Sequence, residues 1–395
     1  MVSSPEFQVP DVTFDLDSIL AAAITKAQLR DFGGDDFMPP LQVLLHSLET
    51  DAQLSAVGRF GQFTRIVDLL VNRLRIEHWL QRFPQIREEQ IAPPVIIVGL
   101  MRTGTTLLHR MMACDQRFYA PLWYETRYPA PLLPDYDFSA ADDRIPLAKA
   151  EVQQMIAASP ELAAIHPLEA CAVDEELMLL EHSFYSTIPE SFAHLPGYAN
   201  WLQAHDNLPG YRYLCTLLQF LQWQKKRQGK NAERWLLKTP HHLHHLDIVL
   251  KVFPGATIIQ THRDPLQTIP SLCSMNYALA RMGSDSVDAQ VLGRHWCDKF
   301  SRSLKHSLAV RSRHASQFID VLYTELADRP DATIQRIYNQ LNFPLHDTTR
   351  EAMQRWQHGN RRQDREPHHY TLEQFGFTAA DLEQDFSEYR STFLH

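Results

Sequence analysis

Residues 99–106 are of the types that hold a phosphate group. An apolar run ends at Gly99, and after four intervening residues Gly104 leads into the apolar pattern of a helix. A strand, a glycine loop and a helix in this order aim backbone N–H groups and the positive end of the helix dipole at one anion. The loop adds a guanidinium, which can grip two oxygens, and three hydroxyl donors. These side chains belong to Arg102, Thr103, Thr105 and Thr106.

The loop differs from the common nucleotide-binding loop in the position of its cation. In G-x-x-x-x-G-K-[ST] a lysine follows the second glycine and reaches the β- and γ-phosphates. This chain has Thr105 in that position, and the nearest cation is Arg102. A plain helix cap would explain one threonine, but not three hydroxyl groups beside an arginine. We therefore interpret the loop as an anion site and not only as a cap.

A second junction of strand and helix carries another cation. The run "IIQT" is followed by "HRDP" (262–265), and Pro265 suits the first turn of a helix. Ser271 lies six residues further along. That distance is less than two helical turns, so Arg263 and the Ser271 hydroxyl could converge on one phosphate. Ligands of open α/β sheets bind at the carboxyl ends of the strands, where both junctions would lie.

Together the two motifs resemble those of the sulfotransferases that use 3′-phosphoadenosine 5′-phosphosulfate (PAPS). In that family a loop of the form [KR]-[ST]-G-T-[ST] holds the 5′-phosphosulfate, and an arginine and a serine eight residues apart hold the 3′-phosphate. The resemblance implies that residues 102–106 bind the phosphosulfate and that Arg263 and Ser271 bind the 3′-phosphate. PAPS has no γ-phosphate to reach. Threonine therefore suffices in the lysine position, and the resemblance implies PAPS as cosubstrate with no metal required.

Sulfuryl transfer also needs positive charge on the leaving phosphate. Lys238 ends the run "WLLK", where the family often has a lysine, and its ammonium could reach the bridging oxygen or a sulfuryl oxygen. Arg102 would add a second charge from the loop. The alternative for Lys238 is a strand-end lysine that points into solvent.

The acceptor's proton needs a base, and the resemblance offers two. In branches similar to tyrosylprotein and glycosaminoglycan sulfotransferases, a glutamate in about the place of Glu125 removes this proton, and Arg127 could orient the acceptor. Cytosolic-type members use a histidine two residues after the lysine, but here Pro240 fills that position and His241 is displaced by one. We favour Glu125 over His241; a surface salt bridge between Glu125 and Arg127 is the plain alternative. Two further candidates are Glu169 and Asp174.

Two other polar segments are less specific. In "HHLHHLD" His241 and His245 have a spacing that suits a metal, but no H-E-x-x-H pattern follows, so a helix start fits better. The segment "RRQDREPHHY" could cover the nucleotide with Arg361 and Arg362, since the family commonly closes its 3′-phosphate site with a basic C-terminal segment.

The elements that must position these residues alternate between strand and helix patterns. Four apolar or β-branched runs are each followed by a potential helix, which indicates a parallel sheet with right-handed crossovers. These runs are 95–99, 235–239, 256–261 and 318–324. The sequence predicts a three-layer α/β fold with a P-loop-like phosphosulfate-binding loop and an N-terminal helical region. We expect helices over 1–92, the α/β core over 93–345 with a helical insertion at about 140–230, and a C-terminal segment over 346–395 that folds back on the core.

The composition of the chain argues against several other classes of protein. The 395 residues are 44% hydrophobic and 22% charged with a formal net charge of −9, which argues against nucleic-acid binding by a basic surface. Five scattered cysteines, never in C-x-x-C spacing, suit a reducing compartment. No signal peptide and no run of 18 apolar residues is evident, so we predict a cytoplasmic protein without an integral membrane segment.

The leading hypothesis is a PAPS-dependent sulfotransferase that acts on a hydroxyl, less readily on an amine. A nucleotide kinase-like phosphotransferase and a non-catalytic nucleotide-binding protein are the alternatives. The acceptor is predicted to be a small or lipid-like hydroxyl compound, because aromatic residues cluster in the sequence near the site, although they would serve equally as core. They are Trp123, Tyr124, Tyr128, Phe184 and Tyr185. The sequence carries no signal for an oligomeric state.

Overall fold

Five short strands form one parallel sheet at the centre of the chain. The computed structural model describes residues 9–158, 168–360 and 371–394. The strands run in the order β2-β3-β1-β4-β5, and every neighbouring pair is parallel. Their bounds are β1 Val95–Gly99, β2 Phe118–Tyr119, β3 Arg234–Lys238, β4 Thr257–His262 and β5 Phe318–Leu322. The predicted α/β class with a parallel sheet is confirmed.

The four predicted strands lie within two residues of their expected bounds. All five residues of β1 are buried, as expected for a central parallel strand covered by helices on both faces. The two-residue strand β2 was not predicted, because two residues are too short to carry a periodic signal.

Helices surround the sheet on both faces. Their bounds are α1 Leu16–Ala27, α2 Met38–Thr50, α3 Ala56–Arg82, α4 Thr105–Met112, α5 Trp123–Arg127, α6 Arg144–Ala158, α7 Leu177–Glu181, α8 Ile188–Phe192, α9 Pro196–Ala204, α10 Leu208–Arg227, α11 Leu246–Val252, α12 Pro265–Arg281, α13 Ala289–Arg311, α14 Tyr323–Asp328, α15 Pro330–Gln340, α16 Asp347–Gly359, α17 Ala379–Asp385 and α18 Ser387–Phe393. Single 3₁₀ turns occupy Pro84–Glu88, Pro240–His244, Ala315–Gln317 and Glu373–Phe375.

Alternate residues of β1 build two different cores. Ile96 and Val98 belong to the larger core, which α10, α11, α12 and α13 complete. Val95 and Ile97 belong to a smaller core on the other face, completed by α4 and α15. Because successive side chains of a strand point to opposite faces, this split produces the three layers of helix, sheet and helix.

The N-terminal helices pack on a third core. Helices α1 and α2 and the first half of α3 bury their apolar faces together with Phe184, Tyr185 and Tyr198, which come from the helical stretch before β3. The second half of α3 continues into the larger core through Trp79 and Leu80. The single helix α3 therefore contributes to both cores and connects the N-terminal helices to the sheet layers. A domain boundary at residue 92 stays a prediction.

The described part of the C-terminal segment, 371–394, lies against α13 and β4. Phe375 is fully buried against Gly293, where a β-carbon would come within 2.6 Å of the Phe375 carbonyl oxygen. The Tyr389 hydroxyl is 3.0 Å from Nδ1 of His262. Arg361 and Arg362 lie outside the described residues.

Within the described ranges no helix is both long and apolar enough to cross a membrane.

Candidate active site

Three of the predicted site segments lie at the carboxyl edge of the sheet. Strand β1 lies between β3 and β4, with Ile97 opposite Lys238 and Gly99 opposite Thr261. The loop after β1, the last residue of β3 and the residue after β4 therefore share this edge. This is where open α/β sheets bind their ligands.

The glycine loop is held in an unusual backbone conformation. Gly104 precedes α4 with φ of +89°, and Arg102 has φ of +70°, a region that side chains other than glycine seldom adopt. Arg102 is exposed and Thr106 half-buried. The strained turn aims the N-terminus of α4 at the space above the sheet edge, as an anion site requires.

Thr103 lies in the glycine loop with its hydroxyl turned into the fold. Its side chain is buried, its hydroxyl donates to the Leu100 carbonyl at 2.5 Å, and it shares a hydrogen bond of 2.6 Å with the Thr261 hydroxyl. The Thr103 backbone N–H also donates to Leu100, at 3.3 Å. These contacts use the hydroxyl within the fold, and a ligand role for Thr103 stays a prediction. Thr103 fixes the loop to β4.

Gly99 allows this close approach, and Gly99→Ala is expected to destabilise the fold. The added methyl group would lie 2.2 Å from Oγ1 of Thr261 and 2.8 Å from Oγ1 of Thr103. Overpacking of this kind costs about 1–3 kcal/mol. Urea denaturation would measure the loss. The matched control is Gly61→Ala, where the methyl group meets no atom within 4 Å and should be neutral or stabilising. Equal stability of the two variants would contradict the prediction.

Arg263 is tied to the loop. Its Nη1 donates to the Arg102 carbonyl at 3.0 Å, and its Nε donates to Oε1 of Gln267 at 2.9 Å. The guanidinium lies 4.3 Å from the centroid of the Tyr323 ring, and that ring lies 3.2 Å from where a β-carbon of Gly104 would be. Arg263 is thus held between the loop and the end of β5. Sequence reasoning missed Tyr323, which lies inside the run predicted as a strand, 318–324, and directly after the observed β5.

Ser271 lies in the second turn of α12 and is buried. The helix begins at Pro265, and the Asp264 side chain caps it by accepting from the Leu266 N–H at 3.1 Å. This agrees with the helix expected from "HRDP". Convergence of Ser271 and Arg263 on one phosphate stays a prediction.

Lys238 does not point into solvent. Its side chain is 1% exposed, its ammonium forms an ion pair with the Glu175 carboxylate, and Nζ lies 3.3 Å from Oγ1 of Thr106. The lysine therefore connects β3 with the glycine loop. The alternative of a solvated strand-end lysine is wrong.

Two glutamates that sequence reasoning missed flank this lysine. Glu176 accepts from the Lys238 backbone N–H at 2.8 Å and from Nε2 of His242 at 2.7 Å, and Nδ1 of His242 is 2.8 Å from the Tyr211 hydroxyl. Burial alone would raise the pKa of Glu176, but the hydrogen bonds from His242 and Lys238 hold it below its usual value. The available signal was the acidic run "DEE" (174–176) within apolar surroundings.

Glu125 is occupied within the fold. Its oxygens lie 2.6 and 2.7 Å from Nζ of Lys225, and Oε2 accepts from the Leu122 N–H at 2.9 Å. Arg127 pairs with Glu151 at 2.8 Å and with Asp68 at 3.4 Å, so the alternative of a surface salt bridge between Glu125 and Arg127 is wrong. This geometry gives Glu125 a structural role and does not support it as the base.

His241 is also buried away from solvent. Its Nδ1 is 3.2 Å from the Thr187 hydroxyl, and Nε2 has no hydrogen-bond partner among the described residues. Burial, with the neighbouring histidines, holds the pKa of His241 well below its ordinary value. Its ring packs 5.2 Å from that of His245. In the parts of the chain that the structure describes, no group of three His, Cys, Asp or Glu residues is arranged to hold a metal ion.

The remaining candidates are spread over different environments. Glu169 is exposed and pairs with Arg110 at 3.2 Å, and buried Asp174 accepts from the Glu175 N–H at 2.7 Å. The aromatic residues proposed for an acceptor pocket are largely core. Buried positions are occupied by Trp123, Tyr124, Phe184 and Tyr185.

The chain is similar in sequence to known proteins. The sequence model of the Sulfotransferase family matches residues 93–347, which is more than half of the chain. The omega-hydroxy-beta-dihydromenaquinone-9 sulfotransferase Stf3 of Mycobacterium bovis is 29% identical over 271 residues, and the match covers 66% of this chain. The matched segment spans 65% of that relative, just under two thirds of its length.

Two crystal structures resemble nearly the whole chain. Sulfotransferase STF1 of Mycobacterium tuberculosis is 29% identical with a TM-score of 0.83, over 95% of this chain and 98% of that protein. Sulfotransferase STF9 of Mycobacterium avium is 25% identical with a TM-score of 0.86, over 98% of both chains. The glycine loop, the lysine at the end of β3 and the arginine after β4 lie within the matched region, and the chain belongs to the sulfotransferase family.

Proposed function

We propose that the protein transfers a sulfuryl group from PAPS to a hydroxyl group. The observation that carries this proposal is the buried Lys238, whose ammonium lies 3.3 Å from the Thr106 hydroxyl of the glycine loop. An ammonium at this position faces the place where the 5′-phosphosulfate of a bound donor would be. Membership of the sulfotransferase family supports the same reaction.

The two ends of the donor are assigned to different residues. The 5′-phosphosulfate is held by Arg102, Thr105 and Thr106 together with the N–H groups at the start of α4. The 3′-phosphate is held by Arg263 and Ser271. The hydrogen bond from Arg263 to the Arg102 carbonyl supports this assignment, because it joins the two phosphate sites into one rigid unit.

The chemistry is an in-line displacement at sulfur. The acceptor oxygen attacks from the side opposite the bridging oxygen, and negative charge develops on the departing 5′-phosphate. Lys238 and Arg102 supply positive charge at that oxygen and at the sulfuryl group. The donor carries one 5′-phosphate and no γ-phosphate, so these side chains supply the charge that a bridging metal supplies in nucleotide kinases.

The acceptor is proposed to be a hydroxyl group on a largely apolar molecule, with an amine as the less favoured substrate. The name of the relative specifies the omega-hydroxyl of a dihydromenaquinone, a lipid-like acceptor. The cysteines, none of which is in a disulfide, suit a reducing compartment, which supports a cytoplasmic location. The net charge of −9 argues against a nucleic-acid acceptor, because a negatively charged protein surface repels the phosphate backbone.

Arg263→Ala is expected to weaken binding of 3′,5′-adenosine bisphosphate by about 10–100-fold, the cost of one charge-assisted contact. Thermal unfolding measures this, since ligand at 100 times its dissociation constant adds about 2.7 kcal/mol of stability. The control is Arg281→Ala at the end of the same helix, where an exposed arginine likewise contacts a tyrosine ring. Stabilisation by ATP with Mg²⁺ instead of the bisphosphate would overturn the proposal in favour of a phosphotransferase.

A further inference from the structure

Glu175 is the carboxylate that faces the catalytic lysine. It lies two residues before the start of α7 and pairs with the Lys238 ammonium, which also contacts Thr106 of the glycine loop. Lys238 therefore links the Glu175 carboxylate to the loop that would hold the donor. The Glu175 side chain is 19% exposed, so solvent or a substrate can reach it.

The neighbouring carboxylates lack this combination of position and access. Both oxygens of Glu176 are used, one by the Lys238 backbone N–H and the other by His242, and its side chain is fully buried. The Glu125 oxygens are held by Lys225. Asp174 is buried, and its carboxylate accepts from a backbone N–H.

We propose that Glu175 takes the proton of the acceptor hydroxyl. This inference rests on the proposed sulfuryl transfer and assigns the base of that reaction. When the donor binds, its anionic oxygens compete with Glu175 for the Lys238 ammonium. The ammonium turns to the donor, and the Glu175 carboxylate becomes a free acceptor of hydrogen bonds next to the transferred group.

The step balances without any further reactant. The acceptor oxygen forms a bond to sulfur, and the bond between sulfur and the bridging oxygen breaks, its electron pair remaining on the 5′-phosphate. The acceptor's proton moves to a carboxylate oxygen of Glu175. The products are a sulfate monoester and 3′,5′-adenosine bisphosphate, and the protonated Glu175 later releases its proton to water.

A buried network sets the position of Glu175. Glu176 joins the start of α7 to β3 through the Lys238 backbone, and His242 and Tyr211 hold Glu176 from behind. Because Glu175 and Glu176 are adjacent, this network fixes the backbone from which the Glu175 side chain extends. Glu176 acts as a positioning residue here, since its side chain is fully buried and both its oxygens are used within the fold.

The test compares two acceptors of different acidity, n-decanol and p-nitrophenol, with turnover measured as release of 3′,5′-adenosine bisphosphate from PAPS. Glu175→Gln is expected to lower transfer to the alcohol on the order of 100-fold, because an alkanol keeps its proton until a base removes it. Transfer to p-nitrophenol, assayed at a pH above the pKa of this phenol so that it is already ionised, should fall far less. A glutamate that only positions Lys238 would lower both rates equally, and that result would overturn the proposal.

Two controls make the outcomes distinguishable. Glu233→Gln changes an exposed glutamate next to the other end of β3 and should leave both rates as in the wild type. Glu175→Gln should still be stabilised by 3′,5′-adenosine bisphosphate, which shows that the donor site is intact. Wild-type rates in Glu175→Gln would overturn the assignment and leave sulfuryl transfer standing. A wild-type protein that is not stabilised by the bisphosphate and uses neither acceptor would overturn sulfuryl transfer itself.

Discussion

Replacing Lys225 by methionine is expected to lower the free energy of unfolding by about 3–5 kcal/mol, the usual cost of removing one partner of a buried ion pair. The Lys225 and Glu125 side chains are 5% and 3% exposed, and both carboxylate oxygens lie within 2.7 Å of Nζ. Methionine keeps most of the volume of the lysine stem. The decrease in the free energy of unfolding therefore measures the cost of leaving the Glu125 charge buried without a partner.

The adjacent lysine provides a matched control for this measurement. Lys226 pairs with Glu89, but its side chain is 44% exposed, so Lys226→Met should cost at most about 1 kcal/mol. Urea denaturation of both variants gives the comparison. Similar losses in the two would mean that the buried pair contributes no more than a surface contact.

A substitution of Glu125 itself would distinguish a structural role from a catalytic one. If its role is structural, Glu125→Gln lowers the stability of the protein but leaves turnover per folded molecule and its pH profile unchanged. If Glu125 is the base suggested by the family resemblance, turnover falls by about 100-fold or more while the donor still binds. Active-site titration with the bisphosphate corrects for any unfolded fraction.

Local patterns in the sequence were sufficient to predict the sheet and the glycine loop that follows β1. The run at 95–99 is buried on both faces, so its apolar character is continuous and its strand assignment is secure. Gly104 and Pro265 mark the starts of α4 and α12 through backbone conformation alone. Signals of this kind come from residues that are close together in the sequence, so they can be recognised in a single sequence.

The ion-pair partners of Lys238 and Glu125 could not be predicted in this way. Lys238 and Glu175 are 63 positions apart, and Lys225 and Glu125 are 100 positions apart. Nothing in the spacing of either carboxylate indicates which cation it will meet once the helices pack on the sheet. The family resemblance pointed to Glu125 by its place after the loop helix, but the buried Lys225 changes what that carboxylate can do. Thr103 is a similar case, because its hydroxyl turns inward to Thr261.

Lys238→Met is expected to lower the turnover of sulfuryl transfer on the order of 1000-fold, as for removal of a preorganised group that stabilises charge in the transition state. The lysine side chain is 1% exposed, so methionine can occupy the same space. Its loss leaves the developing charge on the leaving phosphate without the ammonium. The comparison is with Lys251→Met, which changes an exposed lysine on α11 and should turn over as the wild type does.

The dependence on the acceptor separates the role of Lys238 from that of Glu175. Charge develops on the leaving phosphate whatever the acceptor is, so Lys238→Met should slow transfer to n-decanol and to p-nitrophenol by similar factors. Glu175→Gln, by contrast, should slow the alcohol far more than the phenol. A loss in Lys238→Met that is confined to the alcohol would assign proton transfer to the lysine and leave Glu175 as its partner. Wild-type turnover with both acceptors would remove Lys238 from the mechanism, because a buried ammonium beside the loop would then serve the fold alone.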